Sequence, residues 1–359
     1  MILYSYLLLD AKRLHLMLCK LNPRIGLLII ALMLPSVPAF AEESPKVDQV
    51  LTVLGMDKGQ VAELVEGQPV SYALSEVRPD EVAVAVVWYL PVPIAQMVDY
   101  LRLEDTASLD FDVTANGMLS EHDGPASLAP IGLSKEDSIS LLDAEPGDQF
   151  NLSAHEIASF KALKKTSMHS SHKSIDDAVE QHYRDILFQR YQAYRQGGTH
   201  AIAPYVRGAS FDSKPSLELH QAANESAILS RYFPDLLKAW LNYPKTLPPG
   251  AKESFPWVKK TVEGRLATIL RHRIDIDWHG GVLILTREFY ASHSYNASQW
   301  ITGCLPYRNG TVVFQQVRSY TDQVAGVASG VKHLVGRELL KDKMLKYFER
   351  LCAALNQCH

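Results

Sequence analysis

The run ILRHRIDIDWHGGVLILTREFYAS, residues 269–292, decides the fold. Successive side chains of an extended strand point to opposite faces, so residues two apart share one. Along residues 269–278 that period puts Arg271, Arg273, Asp275 and Asp277 on one face and His272, Ile274 and Ile276 on the other. His279, Gly280 and Gly281 form a turn and residues 282–292 run back, which predicts an antiparallel hairpin. On the return strand the same period groups Thr286, Glu288, Tyr290 and Ser292 with Val282 and Ile284. Arg287, Phe289 and His293 fall on the other face with Leu283 and Leu285.

Outward from this hairpin, residues 311–319 read as a further strand after an Arg308-Asn309-Gly310 turn. Two helices close the chain. Val324, Val327, Ala328, Val331, Leu334 and Val335 share one apolar stripe, and Leu340, Met344, Phe348, Leu351 and Leu355 share another. The stripe rotates near Gly336, which predicts a kink or break there. Toward the amino terminus, residues 47–54 and 60–66 read as short helices and residues 70–74 and 82–89 as strands. Pro91-Val92-Pro93 opens a helix through Met97, Val98 and Leu101, and residues 109–113 alternate as a half-exposed strand. Ser134 and Ser153 are in place to cap short helices, the second with Glu156 three residues on. Between those helices lies a Pro146-Gly147-Asp148 turn, and residues 164–173 form a polar linker. From Ser174 a long amphipathic helix runs to Gly197-Gly198, and helices over 217–223 and 226–240 follow before Pro244, Pro248 and Pro249.

The expected class is α+β: an antiparallel sheet, a helical insertion over about 174–245 and long C-terminal helices. This order, carried by residues 82–101 and 269–355, resembles the helix-grip layout of START-like lipid-binding domains, although the helical insertion departs from it. The resemblance implies a ligand cavity between the sheet and the last helix. The runs GQPVSYAL, YRQGG, REFYASHSY and QVRSYTDQVAG are similar to an uncharacterised family of bacterial secreted proteins, which implies one integral domain after the leader and assigns no activity.

The compartment is read from the first 41 residues. Lys20 and Arg24 form a positive region, residues 25–34 an apolar run, and Ala39-Phe40-Ala41 a cleavage signal, so a signal peptide over 1–41 is expected. The apolar run is shorter than the roughly 20 residues of a membrane span. The expected protein is exported, periplasmic or secreted. The leader holds four of 36 basic and one of 40 acidic residues, leaving 32 against 39, a net of −7. That balance disfavours nucleic acid as a partner, since phosphates call for clustered Lys and Arg. Cys304, Cys352 and Cys358 follow the leader, and export makes one disulfide among them plausible. Either Cys352 or Cys358 can reach Cys304 from a helix end; free buried thiols are the other reading.

Glu288, Tyr290, Ser292 and Arg318 are the candidate ligand-binding residues. A carboxylate, a phenol and a hydroxyl pointing one way can hold a polar head group or move a proton. Buried, Glu288 needs a partner, and Arg318 on a neighbouring strand is the expected one. Arg318 is alternatively paired with Asp322. No G-x-S-x-G elbow is present, since Ser329 falls one place late in Gly326-Val327-Ala328-Ser329-Gly330. No cofactor loop appears, and His169 with His172 lacks a third metal ligand. The expected function is non-enzymatic binding of a lipid or other amphipathic small molecule. The alternatives are a hydrolase or lyase built on Glu288, Tyr290 and His293 or Ser292, and an envelope interaction protein with an exposed apolar patch.

Overall fold

A computed structural model of the protein describes residues 46–103, 110–147, 149–167, 172–208 and 211–355. Helices α1 (Val47–Val53) and α2 (Lys58–Val65) lead into β1 (Val70–Ala73) and β2 (Glu81–Leu90), and α3 (Ile94–Arg102) follows. Next come β3 (Val113–Leu119), α4 (Lys135–Leu142), α5 (Ala154–Thr166) and the long α6 (His172–Gly197). A two-stranded pair, β4 (Tyr205–Val206) and β5 (Asp212–Ser213), precedes α7 (Pro215–Asn224), α8 (Ala227–Tyr232) and α9 (Pro234–Leu241). The chain then runs through β6 (Lys252–Val262), β7 (Arg265–Trp278), β8 (Gly281–Ala291), β9 (Ala297–Tyr307) and β10 (Gly310–Tyr320) to α10 (Ser329–Ala354).

The main sheet has eight strands in the order β1-β2-β10-β9-β8-β7-β6-β3, every neighbouring pair antiparallel. The protein is thus an α+β structure built on one large antiparallel sheet. Both faces are covered. On one, Met97 and Leu101 of α3 and Met344, Phe348 and Leu351 of α10 pack on Val84, Val86, Ile284, Val313 and Val317. On the other, Tyr183, Leu187, Tyr191 and Tyr194 of α6 pack on Trp257, Leu270 and Phe289. Beside them Val50, Leu51 and Trp240 pack on Ile274, Leu285 and Phe314. A sheet buried on both sides reads as near-continuous apolar sequence, which is why β8 opens GVLIL.

Local signals are realised where they depend on neighbours in sequence. Ser134 accepts a hydrogen bond from the Asp137 amide, and Ser153 with Glu156 closes a capping box. Ends of α6 and its glycines agree with the pattern: Gly198 has φ +61°, and a Cβ there would stand 1.9 Å from the Tyr243 carbonyl oxygen. Three expectations are corrected, and strand β6 is added to the sequence reading. The strand near 109–113 lies later, at β3, and Asp110 to Asp112 precede it. The expected 226–240 helix is two, parted at Phe233-Pro234, because proline at the first turn starts a new helix. Strand β6 had no clean alternation, and its ladder with β7 lapses at Phe255 and Pro256, where the proline has no N–H to donate. Finally, α10 is one unbroken helix through Gly336, whose missing side chain lets the helix sit close to Val82. Most of the expected first stripe is not core: Val324, ahead of the helix, is buried, but Val327, Val331, Leu334 and Val335 are exposed.

Candidate functional site

The β7–β8 ladder contains one irregularity that reorganises the expected site. Arg271 pairs with Glu288, yet the next residue back, Leu270, pairs with Tyr290, so Phe289 is an extra residue on β8. Such a bulge resets the alternation. Glu288 faces the α10 side, whereas Phe289 and Tyr290 both join the core under α6. The grouping of Glu288 with Tyr290 and Ser292 is therefore corrected. Tyr290 and Ser292 lie around the Tyr183 hydroxyl, and the Ser292 hydroxyl accepts from the Thr268 amide at 3.0 Å. The guanidinium of Arg190 stacks on the Tyr290 ring, 4.4 Å from its centroid. His293 is engaged with the Leu266 carbonyl at 3.0 Å and the Ser294 hydroxyl at 2.8 Å. Glu288, Tyr290 and His293 do not form the converging set that the hydrolase or lyase reading requires.

Arg318 is also on the other face. Its partners are the Glu81 carboxylate, which is fully buried, and the Ser75 carbonyl at 3.0 Å. Glu81 in turn accepts from the Val77 amide at 2.9 Å. Asp322 pairs with Arg207 at 2.7 Å, so neither Glu288 nor Asp322 is the partner of Arg318. Cys304 is a free buried thiol, pushed up to about 12 by burial. Cys352 is disulfide-bonded, and the calls on Cys358, His169 and the leader lie outside the described residues.

A cavity of about 260 Å³ opens between the sheet and α10. Its floor is a grid set by strand register. Arg271, Glu288, Ser298 and Ser319 lie side by side across β7, β8, β9 and β10. One step along, Arg273, Thr286 and Trp300 are level, and beyond them Ile284, Thr302 and Gln315. Leu340, Lys343, Met344 and Tyr347 of α10 form the roof, and Asp110 to Asp112, Lys260 and Val262 close one end.

Charge on this floor is held in pairs. Glu288, nearly fully buried, meets Arg271 at 2.7 Å and accepts from the Tyr295 hydroxyl at 2.7 Å. Burial and the adjacent Glu288 carboxylate push the Tyr295 phenol well above its ordinary value, so it stays a protonated donor. Burial opposes the charge on Asp110, but Lys260 at 2.6 Å and Arg271 hold its carboxyl below the usual range. Asp112 meets Lys343 of α10 at 3.1 Å. Two groups are left over. The Ser298 hydroxyl and the Trp300 indole N–H have no hydrogen-bond partner among the described residues, and both residues line the cavity.

Of the four candidate residues, the structure brings one, Glu288, to the cavity. Arg271, Tyr295, Ser298 and Trp300 were missed as site residues. The alternation of β7 did place Arg271 on the charged face, and Ser298 and Trp300 follow the same two-residue period on β9. No family model matches the chain, and no curated protein matches it. Among solved structures, the crystal structure of Ara h 8.0201 is similar over 32% of this chain and 70% of that one, at 13% identity and a TM-score of 0.22.

Proposed function

We propose that this protein is an exported binder of a hydrophobic or amphipathic small molecule, held in a helix-grip arrangement between the sheet and α10. One observation carries the reading: the roughly 260 Å³ cavity whose roof sets Leu340, Met344 and Tyr347 beside one lysine, Lys343, and whose floor mixes apolar, hydroxyl and ion-paired side chains. Ligand pockets have this make-up, mostly apolar walls with a few placed polar groups, though typical ones begin near 300 Å³. The occupant is accordingly small. Leu101, Ile284, Leu340 and Met344 supply contacts for its apolar body, and the Glu288–Arg271–Tyr295 set gives the floor a fixed polar end.

The test is native purification from the exporting cell, organic extraction and mass spectrometry of what is released. A stoichiometric short-chain amphiphile is the expected result. Replacing Met344 by Trp should fill the cavity and abolish retention of that molecule. If the extract is empty and no added amphiphile binds the purified protein, the binding reading falls.

A further inference from the structure

The outer surface of α10 carries an inference that goes beyond the cavity itself. Phe111 lines one end of the cavity and is nonetheless 48% exposed. Two cations of α10 lie over its ring, the Arg350 guanidinium 4.8 Å from the centroid and the Lys346 ammonium at 5.8 Å. Both are exposed, and neither has a carboxylate partner among the described residues. Leu103, two residues beyond the cavity-lining Leu101, is exposed as well.

The helix extends this patch. Val335, Leu339, Lys343, Lys346 and Arg350 recur every three or four residues, so they share one flank of α10. Val335 and Leu339 are exposed, and of the three cations only Lys343 meets an acid, Asp112. Glu338, Asp342 and Glu349 follow the same spacing on the next line round the helix, turned further from Phe111. The flank is thus aliphatic at one end and basic at the other, in a chain whose net charge after residue 41 is −7. Its positive charge runs against the sign of the molecule and complements an anionic partner. That partner must also accept exposed apolar side chains. A bilayer offers both, lipid phosphates for Lys and Arg and the acyl boundary for aliphatic and aromatic groups. An acidic polypeptide would answer the cations and leave Leu103, Phe111 and Leu339 without apolar contact.

We propose that this flank of α10, with Phe111 and Leu103, docks the protein on an anionic lipid bilayer and holds the Phe111 end of the cavity against the membrane. Lys346 and Arg350 meet the phosphates while Phe111 and Leu339 enter the headgroup region. Docking is independent of what the cavity holds, since neither Lys346 nor Arg350 lines it.

Flotation of the protein purified from the exporting cell tests this, with vesicles of phosphatidylcholine alone and of equimolar phosphatidylcholine and phosphatidylglycerol. The protein should float with the mixed vesicles, remain behind with phosphatidylcholine alone, and be released by added salt. Lys346→Gln and Arg350→Gln should each weaken partition about fivefold, and the two together about thirtyfold, without changing the melting temperature. The control is Lys161→Gln with Lys164→Gln, which changes net charge equally on α5, across the sheet, and should partition like the parent. No binding to the mixed vesicles, equal binding to both kinds, or equal loss in the two double variants overturns the proposal. So does capture of soluble polyglutamate in place of vesicles, which would make the flank a protein-docking surface. Should the α10 double variant fail to fold, the two single variants carry the test. An empty cavity would fell the binding reading and leave these results standing.

Discussion

Glu288 and Ser298 sit side by side on neighbouring strands, and the difference between them is how each is satisfied. Glu288 is a buried charge with two partners, so its removal leaves the Arg271 guanidinium and the Tyr295 hydroxyl without an acceptor. Breaking a buried pair in this way costs about 3–5 kcal/mol. Glu288→Ala should lower the unfolding free energy, measured by urea titration, by an amount of that order. Ser298→Ala removes a hydroxyl that is bonded to nothing in the fold, and should move the same titration by less than about 1 kcal/mol. A Glu288→Ala protein as stable as its parent would show that the Arg271 pair contributes nothing.

Elements are positioned by close approaches as much as by pattern. The single extra residue at Phe289 is what separates Glu288 from Tyr290, stacking Phe289 on Tyr194 at 4.1 Å between ring centroids. At the end of α6, Gly198 combines a left-handed backbone with contact against the Tyr243 main chain. Alanine there meets two penalties, the positive φ and a clash with backbone that has no rotamer to move. The expected loss is at least about 1–3 kcal/mol, read as a drop in melting temperature. Gly280, at φ +83° with open space around it, is the control: Gly280→Asn should cost little, because asparagine tolerates that conformation.

At the scale of the whole molecule, two buried groups set opposite trends with pH. Burial first, then the nearby Asp80 carboxylate, raise Glu218 from 4.5 to about 8. Its contribution to stability is complete below about 4.5 and is lost as pH rises through 8, since the unfolded chain gives up the proton earlier. Burial lowers His272 from 6.5 to about 4 despite Glu253 at 2.9 Å. Its contribution is complete above 6.5 and is lost as pH falls through 4. Between 4.5 and 6.5 the two slopes offset each other; from 6.5 to 8 only Glu218 acts. Stability should therefore fall over that upper window by about 1.4 kcal/mol per pH unit. Glu218→Gln, which keeps an acceptor for Asn296, should flatten the decline in denaturant titrations taken across it.

Sequence alone determined what depends on nearby residues: the alternation along β7, the turn at Gly280 and Gly281, the caps at Ser134 and Ser153, and the span and stop of α6. It also gave the α+β class and the idea of a space beneath the last helix. The class and the local elements follow from the period of side-chain direction and from backbone donors that must be satisfied within a few residues, whereas the space beneath the last helix was implied only by the resemblance of layout. Only the tertiary structure decided which face each site residue occupies beyond Glu288, because a bulge is a relation between two strands and has no signature in one. It likewise decided that Glu288 pairs with Arg271 while Arg318 pairs with Glu81, more than two hundred residues away in the chain. Partner choice among several arginines is set by strand order and register. The exposed first stripe of α10 has the same origin: an apolar period shows that a helix has an apolar side, and only the packed sheet determines whether anything lies against it.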